Sequence, residues 1–504
     1  MKKLKYTVRV LALSLLILEL NSCGKGFLDL SPTSTLNTGN AYNSANDLNN
    51  AIVGAYNIFY QEYYVWDWIL LGDMRTDNAY AGGGGDIYTT PYATLTIQPG
   101  NERMEFDWAQ LYQGIGRCNV ILDKVNEVKD PALDENNARQ YIIGQASFLR
   151  AYHYFQLVKT WGGVPIELHS NTTDPSKTNL PRSTAIEVYN QIVKDLNVAI
   201  ANLPDVYSSD NTVNKVRATK GAAYALMAKI WAQRPDRDYS KVIAYCDSVI
   251  NSPAGYKLIN YTDLFDGNHY CNDESILEIA FQTDPNWITS NWGTALFNEV
   301  GDGFQNYCVP SKDLVNLYKS NNDAVRMNAN IIFRTNNLYA DENWNPCNNP
   351  DSIVPYNYKQ KYPNGWNGGD HLYLLRLADI ILLKAEAQNE TGNLSGAIAN
   401  VNLIRNRVGL PPISAANKED MRSKILNERR MELAFEGQRF DDLVRNGVFV
   451  STMNNLKVYK YTCINGTLSA PILINYNATP DKELCPIPQN ELDRNPNLTQ
   501  NPGY

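Results

Sequence analysis

Two groups of acidic residues have the composition for bond-breaking chemistry. Asp73 and Asp77 stand four residues apart and imitate the carboxylate pair of a glycoside hydrolase, in which one acid protonates the leaving oxygen while the other attacks or activates water. Such carboxylates come from separate elements facing across the sugar, so two acids on one short stretch fit that chemistry poorly. Glu428, Arg429, Arg430, Glu432, Glu436 and Arg439 bring acids and bases together along one helical segment. Ion pairing along a helix at three- and four-residue spacing explains them more simply than catalysis, and no enzymatic activity is expected. Metal chemistry is no better supported. His153, His169, His269 and His371 are scattered, and His153 stands between tyrosines on a helix, where packing is the default role. Asp263, Asp266, Asp273 and Glu274 around Asn268 offer oxygens to Ca²⁺ without the loop spacing of a recognised site. None of the eight Cys falls in a short Cys-Cys or Cys-His metal spacing. Cys271, Cys308 and Cys347 share one region, where a disulfide and free buried thiols both fit. No cofactor is expected.

Recognition chemistry is much better supplied. The chain carries 32 Tyr against 13 Phe, together with 9 Trp and many Asn, a mixture that packs apolar area and still offers hydrogen bonds to a polar ligand. A glycan site needs flat rings for sugar C–H faces and planar polar groups for hydroxyls, with water completing the contacts that side chains miss. One set of candidates, Trp66, Trp68, Asp77, Asn78, Tyr80 and Tyr88, surrounds the run Gly82 to Gly85. A second set, Trp287, Trp292, Trp344 and Trp366, lies further along. Rings beside Gly or Asn in loops are the sharpest candidates, since they have less core to enter. Trp66 and Trp68 precede Ile69-Leu70-Leu71, and burial suits them equally well.

The elements that must position these groups are mostly helical. From Leu374 to Leu410, apolar Leu374, Leu377, Ile381, Ala385 and Ala387 share one helical face, Thr391-Gly392-Asn393 stops that helix, and Ala397, Val401, Ile404 and Val408 make the stripe of a second. Asn400, Asn402, Arg405 and Arg407 fall largely outside that stripe. So short a turn forces antiparallel packing, as in a tetratricopeptide hairpin, and a hairpin cannot bury its face alone. Further helices are expected from Ser44, over Phe106 to Val128 and Asp134 to Trp161, from the Ser183-Thr184/Glu187 capping box to Leu203, over Ala218 to Gln233 and Ser240 to Asn251, and from Lys418. This gives roughly four helix pairs as a scaffold. Two regions interrupt it: an aromatic loop region of about 60–105 and an Asn-, Gly-, Pro- and Trp-rich insertion of about 253–370, with a strand at Ser275 to Phe281 and a short helix at Pro310 to Tyr318. An insertion of that length in a helical frame is usually functional. The proline-rich C-terminus is expected to lie extended.

The net charge of −8 gives no general attraction to nucleic acid. Residues 1–22 carry Lys2, Lys3 and Lys5, an apolar run Val8 to Leu18, and end at Leu20-Asn21-Ser22 before Cys23. That run is too short to span a bilayer and reads as a signal peptide, leaving 23–504 as a single domain. Leu20 and Ser22 before Cys23 resemble the bacterial lipobox, in which the Cys is acylated; several acyl chains (palmitate among them) would hold the chain on a membrane, one alone being marginal.

Assembled, these segments resemble the SusD/RagB family of Bacteroidetes outer-membrane nutrient-binding lipoproteins. The likeness rests on the lipobox at Cys23, the segment from Arg150 ending Trp161-Gly-Gly-Val-Pro-Ile166, Arg376-Leu-Ala-Asp-Ile-Ile-Leu-Leu-Lys-Ala-Glu-Ala387, Glu428 to Leu443, and Pro486-Ile-Pro-Gln489 with Asn495 to Pro502. It implies a mainly α fold of four tetratricopeptide-like helix pairs with a loop-rich half carrying the ligand. It further implies a lipid-anchored protein at the outer membrane, facing outward, that captures an oligosaccharide or polysaccharide and delivers it to a partner SusC-like TonB-dependent transporter. Ligand-contacting residues do not transfer with the fold. A peptide-binding member or helical scaffold is the alternative reading, and a surface glycoside hydrolase a more remote one.

Overall fold

A computed structural model describes residues 41–82, 86–170, 179–297, 306–335, 341–347, 349, 351–360 and 365–504. Cys23 and the signal segment lie outside these residues, as do Gly83 to Gly85. The scaffold consists of α1 (Ala45–Tyr56), α2 (Glu102–Lys124), α3 (Ala138–Trp161), α4 (Ala185–Asn202), α5 (Lys220–Gln233), α6 (Tyr239–Ile250), α7 (Leu377–Glu390), α8 (Leu394–Arg407) and α9 (Lys418–Leu433), followed by the short α10 (Arg439–Arg445). Local chemistry starts them where capping theory requires: Ser44 with Asp47 and Thr184 with Glu187 form reciprocal capping boxes, and Thr219, Asp238, Asn393 and Asn417 accept first-turn N–H groups. Helix α1 packs on α2, α3 lies between α2 and α4, α5 pairs with α6, α7 with α8, and α9 closes over α7 and α8. The fold is mainly α. Alanines make the close crossings: Ala222, Ala225 and Ala228 of α5 and Ala385, Ala387 and Ala397 of the α7/α8 pair are fully buried. Gly392, at φ +89, supplies the left-handed turn between α7 and α8.

Several boundaries move. The expected helix over Leu374 begins only at Leu377, because Leu372–Arg376 is a strand. The helix placed at Phe106 to Val128 runs from Glu102 to Lys124. Arg405 and Arg407, expected outside the α8 stripe, point inward: Arg405 pairs with Glu428 at 2.9 Å and Arg407 with Glu274 at 2.6 Å. The C-terminus contains short helical turns at Pro480–Glu483 and Gln489–Arg494.

The insertion is built on short antiparallel ladders. Strand β1 (Ala79–Tyr80) pairs with β3 (Val309–Pro310), β2 (Ser275–Ile279) with β6 (Leu372–Arg376), and β4 (Ile331–Thr335) with β5 (Ile353–Asn357). A disulfide joins Cys347 to Cys463, tying the insertion to the C-terminal segment. Cys271 and Cys308 are free and buried, so the bridge leaves the insertion instead of closing within it. Among the described residues no helix is long and apolar enough to cross a membrane.

Candidate functional site

The β2–β6 ladder decides which loops meet. Its register pairs Ile279 with Leu372, so the loop that follows β2 and the loop that precedes β6 leave from the same end. In the first, Asp284 organises a turn: its carboxylate accepts the N–H groups of Asn286 at 2.9 Å and Thr289 at 3.0 Å, and its carbonyl accepts the Trp287 N–H at 3.0 Å. Trp287 takes φ +63 and stands 51 % exposed. In the second, a single 3-10 turn, Gly365–Asn367, carries Trp366. The loops are laced together by Ser290 Oγ to the Trp366 carbonyl at 3.0 Å, the Asn291 N–H to Gly368 O at 2.7 Å and Asn291 Nδ2 to Asp370 O at 2.9 Å.

This lacing gathers three indoles. Trp366 lies 5.6 Å from Trp287 at 33° and 6.3 Å from Trp292 at 24°, within the range of offset aromatic pairs. The outcome is a tilted shelf of rings with Trp287 outermost. Trp292 opens the 3-10 helix Trp292–Leu296, and its neighbour Gly293 lets that turn seat on the wide π-helical turn Tyr63–Asp67: a Cβ on Gly293 would stand 2.6 Å from the Val65 carbonyl and 2.7 Å from Trp66 Cβ. Trp66 therefore supports the shelf from behind. It is buried, with the Arg103 guanidinium 4.1 Å over its ring, and Arg103 pairs with Glu62 at 2.7 Å and Asp67 at 3.3 Å. Burial drives the Asp107 carboxyl well up, and the neighbouring Asp67 adds to this.

The remaining candidates sit elsewhere. Asp77 and Asn78 are buried: both Asp77 oxygens take Arg439 at 2.8 Å, and Asn78 bridges Arg430 and Asp73 at 2.8 Å each. They offer nothing to solvent, and a buried carboxylate between guanidinium groups is a structural charge. Asp73, the other half of the supposed catalytic pair, accepts the N–H groups of Phe435 and Gly437. Trp68 is half-buried beside a cavity of about 60 Å³, lined also by Gln156, Lys229 and Gln438. Tyr80 donates to Asp341 at 2.6 Å, the same carboxylate that accepts the Trp344 N–H at 2.8 Å, and Trp344 packs edge-on to Phe333 with its indole N–H on Pro310 O. These two belong to one packed cluster apart from the shelf. Tyr88 is half-buried, its hydroxyl against Glu102.

The acidic and basic run from Glu428 to Arg439 forms ion pairs, but across elements instead of along the helix. Glu432 meets Arg326 at 3.2 Å, Arg376 at 2.7 Å and Arg407; Glu436 meets Arg376 at 2.6 Å; Arg429 meets Asp379 and Asp442; Glu428 meets Arg326 and Arg405. Of the oxygens considered for Ca²⁺, Glu274 is spent on Arg376 and Arg407, whereas Asp263 and Asp266 converge with a His269 nitrogen within 4.8 Å, Asp266 also accepting the Asn268 and His269 N–H groups. His153 is buried between α2 and α3, its Nδ1 hydrogen-bonded with the Tyr64 hydroxyl at 2.8 Å, and burial lowers its pKa to about 3.

The shelf also uses Asp284, Ser290, Asn291 and Gly293, which the reading of the sequence passed over. Asp284-Pro-Asn-Trp287 and Asn364-Gly-Trp-Asn-Gly-Gly369 each set an indole in a string of turn formers, the signal that would have singled out both loops.

A model described as "SusD family" matches residues 273–504, and one described as "Starch-binding associating with outer membrane" matches 26–231. The chain belongs to the SusD/RagB family. Full-length relatives agree with that assignment: SusD-like protein P25 of Formosa agariphila is 26 % identical, covering 97 % of this chain and 98 % of that one. The starch-binding protein SusD of Bacteroides thetaiotaomicron is 23 % identical over 82 % of this chain and 80 % of its own. The structure named as a laminarin binding SusD-like protein superposes with a TM-score of 0.73 at 26 % identity, over 92 % of this chain and 100 % of that chain. Two of these relatives, the Bacteroides thetaiotaomicron protein and the laminarin binding structure, are named as binding proteins.

Proposed function

We propose that this SusD/RagB chain is a surface glycan-binding protein that captures an oligosaccharide on the Trp287–Trp366–Trp292 shelf. The observation that carries the reading is the shelf itself: three indoles from two loops, laced by buried Asn291, with the outermost ring half in water. An apolar face so exposed has no core to fill and suits the C–H face of a pyranose, leaving hydroxyls to loop amides and water. Relatives named for starch and laminarin binding support a carbohydrate over a peptide. In the same reading Cys23 is acylated, the chain is held at the outer membrane facing outward, and the captured glycan passes to a SusC-like TonB-dependent transporter. The Cys347–Cys463 disulfide supports an oxidising location, and a family description that mentions the outer membrane supports the anchor.

Calorimetric titration of the soluble chain lacking residues 1–23 against a panel that includes starch and laminarin oligosaccharides tests the capture. Saturable binding is expected, reduced about tenfold (about 1.4 kcal/mol) by Trp287→Ala and further by Trp366→Ala. No binding across the panel, or affinities that these variants leave unchanged, would refute the shelf. Co-purification of a TonB-dependent transporter with the detergent-extracted protein tests the delivery.

A further inference from the structure

At the shelf end of the β2–β6 ladder, three metal-ligating side chains converge. Glu278 stands on β2, His371 directly precedes β6, and Cys271 lies in the turn before β2, at φ +52. One ligand atom from each, a thiol sulfur, a carboxylate oxygen and an imidazole nitrogen, lie within 4.8 Å of one another. Glu278 is only 2 % exposed, and its two oxygens are unequally used: Oε1 accepts the Cys271 N–H at 2.7 Å and sits 2.8 Å from His371 Nδ1, while Oε2 has no hydrogen-bond partner. A buried carboxylate oxygen with nothing to bind is costly, and an ion is one of the few things that satisfies it.

The surroundings are those of an oriented ligand set. Tyr270 stacks on the His371 ring at 4.1 Å and 16°, and its hydroxyl donates to Asp370 at 2.6 Å, so the imidazole plane is fixed from outside. Cys271 is 8 % exposed and the His371 side chain 14 %, so the cluster lies just beneath the surface. Lys215 backs the cluster near Glu278, Cys271 and Asp273, and two anionic ligands together with Asp273 outweigh its charge.

We propose that Cys271, Glu278 and His371 form a binding site for a divalent ion of the zinc class. A sulfur, nitrogen and oxygen donor set suits a borderline ion that accepts tetrahedral geometry and excludes Ca²⁺ and Mg²⁺, which require oxygen ligands. On binding, the thiol releases its proton to solvent, the carboxylate and thiolate neutralise the ion, and Oε2 gains a partner. The ion cross-links the turn before β2 to the segment that follows Trp366, independently of whether the shelf holds a glycan.

Cobalt titration tests this, using tag-free protein stripped with chelator and kept reduced. One equivalent of Co²⁺ should produce a thiolate-to-cobalt charge-transfer band that Zn²⁺ bleaches. Cys271→Ser should abolish the band, and Glu278→Gln, which keeps side-chain shape, should weaken Co²⁺ binding at least tenfold with an unchanged near-ultraviolet circular dichroism spectrum. Of the free thiols among the described residues, only Cys271 has a carboxylate and an imidazole within ligand distance, so loss of the band in Cys271→Ser assigns it to this site. Absence of the band at stoichiometric cobalt, its survival in Cys271→Ser, or undiminished affinity in Glu278→Gln would overturn the proposal.

Discussion

Asp77 sits between two guanidinium groups, with Arg439 on both oxygens at 2.8 Å and Arg430 at 3.2 Å. Burial alone would raise its pKa, but Arg430 and Arg439 outweigh it and hold the carboxyl at about 2. Because the folded value lies below the unfolded one, the stabilisation is complete above about pH 4 and is lost as pH falls toward 2. Removing one partner of a buried pair strands the other charge, at about 3–5 kcal/mol. Asp77→Ala should therefore lower stability in urea melts by about that amount, while the folded fraction keeps the parent's glycan affinity; a fully stable variant that lost binding would return Asp77 to the ligand site. At this scale the sequence was half legible. Trp287 and Trp366 lie in loops as their turn-forming neighbours led one to expect, whereas Asp77 and Asn78 read like loop polar groups because their partners, Arg430 and Arg439, arrive from more than 350 residues away.

Among the elements, strand β6 of the β2–β6 ladder was the hardest to see, although its partner β2 was expected over Ser275 to Phe281. Leu372-Tyr-Leu-Leu-Arg376 is a short apolar run that suits strand or helix, and only its pairing with Ser275–Ile279 settles the choice. The helices were easier, since caps such as Ser44 and Thr184 act within four residues. The same contrast explains why no metal set was evident: Cys271 and His371 are a hundred positions apart and meet only through that ladder. The seating of the 3-10 turn that carries Trp292 gives an element-level prediction. Gly293→Ala would place a Cβ 2.6 Å from the Val65 carbonyl, closer than any relaxed contact, so the turn must lift away. The expected result is glycan affinity reduced about tenfold with a melting temperature close to the parent's, because the helix pairs do not depend on this turn. Unchanged affinity would show that Trp292 does not have to stack on Trp366.

For the whole molecule, the shelf rises from an insertion that is stapled to the C-terminal segment by Cys347–Cys463. If Cys23 carries the anchor as proposed, Cys23→Ala should move the protein from the detergent phase to the aqueous phase without loss of glycan binding by the folded chain; undiminished recovery in detergent would refute lipidation. The overall architecture was the most legible level, since repeated apolar stripes and small residues at helix crossings are written locally, while the placement of the shelf depends on long-range pairing. Strand β6 then has a mechanical corollary. It runs from the shelf straight into Arg376, which begins α7 and is gripped by Glu274 at 2.9 Å, Glu432 at 2.7 Å and Glu436 at 2.6 Å. If the shelf holds cargo as proposed, a tug on it is borne in tension along five residues to a joint braced by three carboxylates, which makes the surface a stiff handle and not a hinged flap.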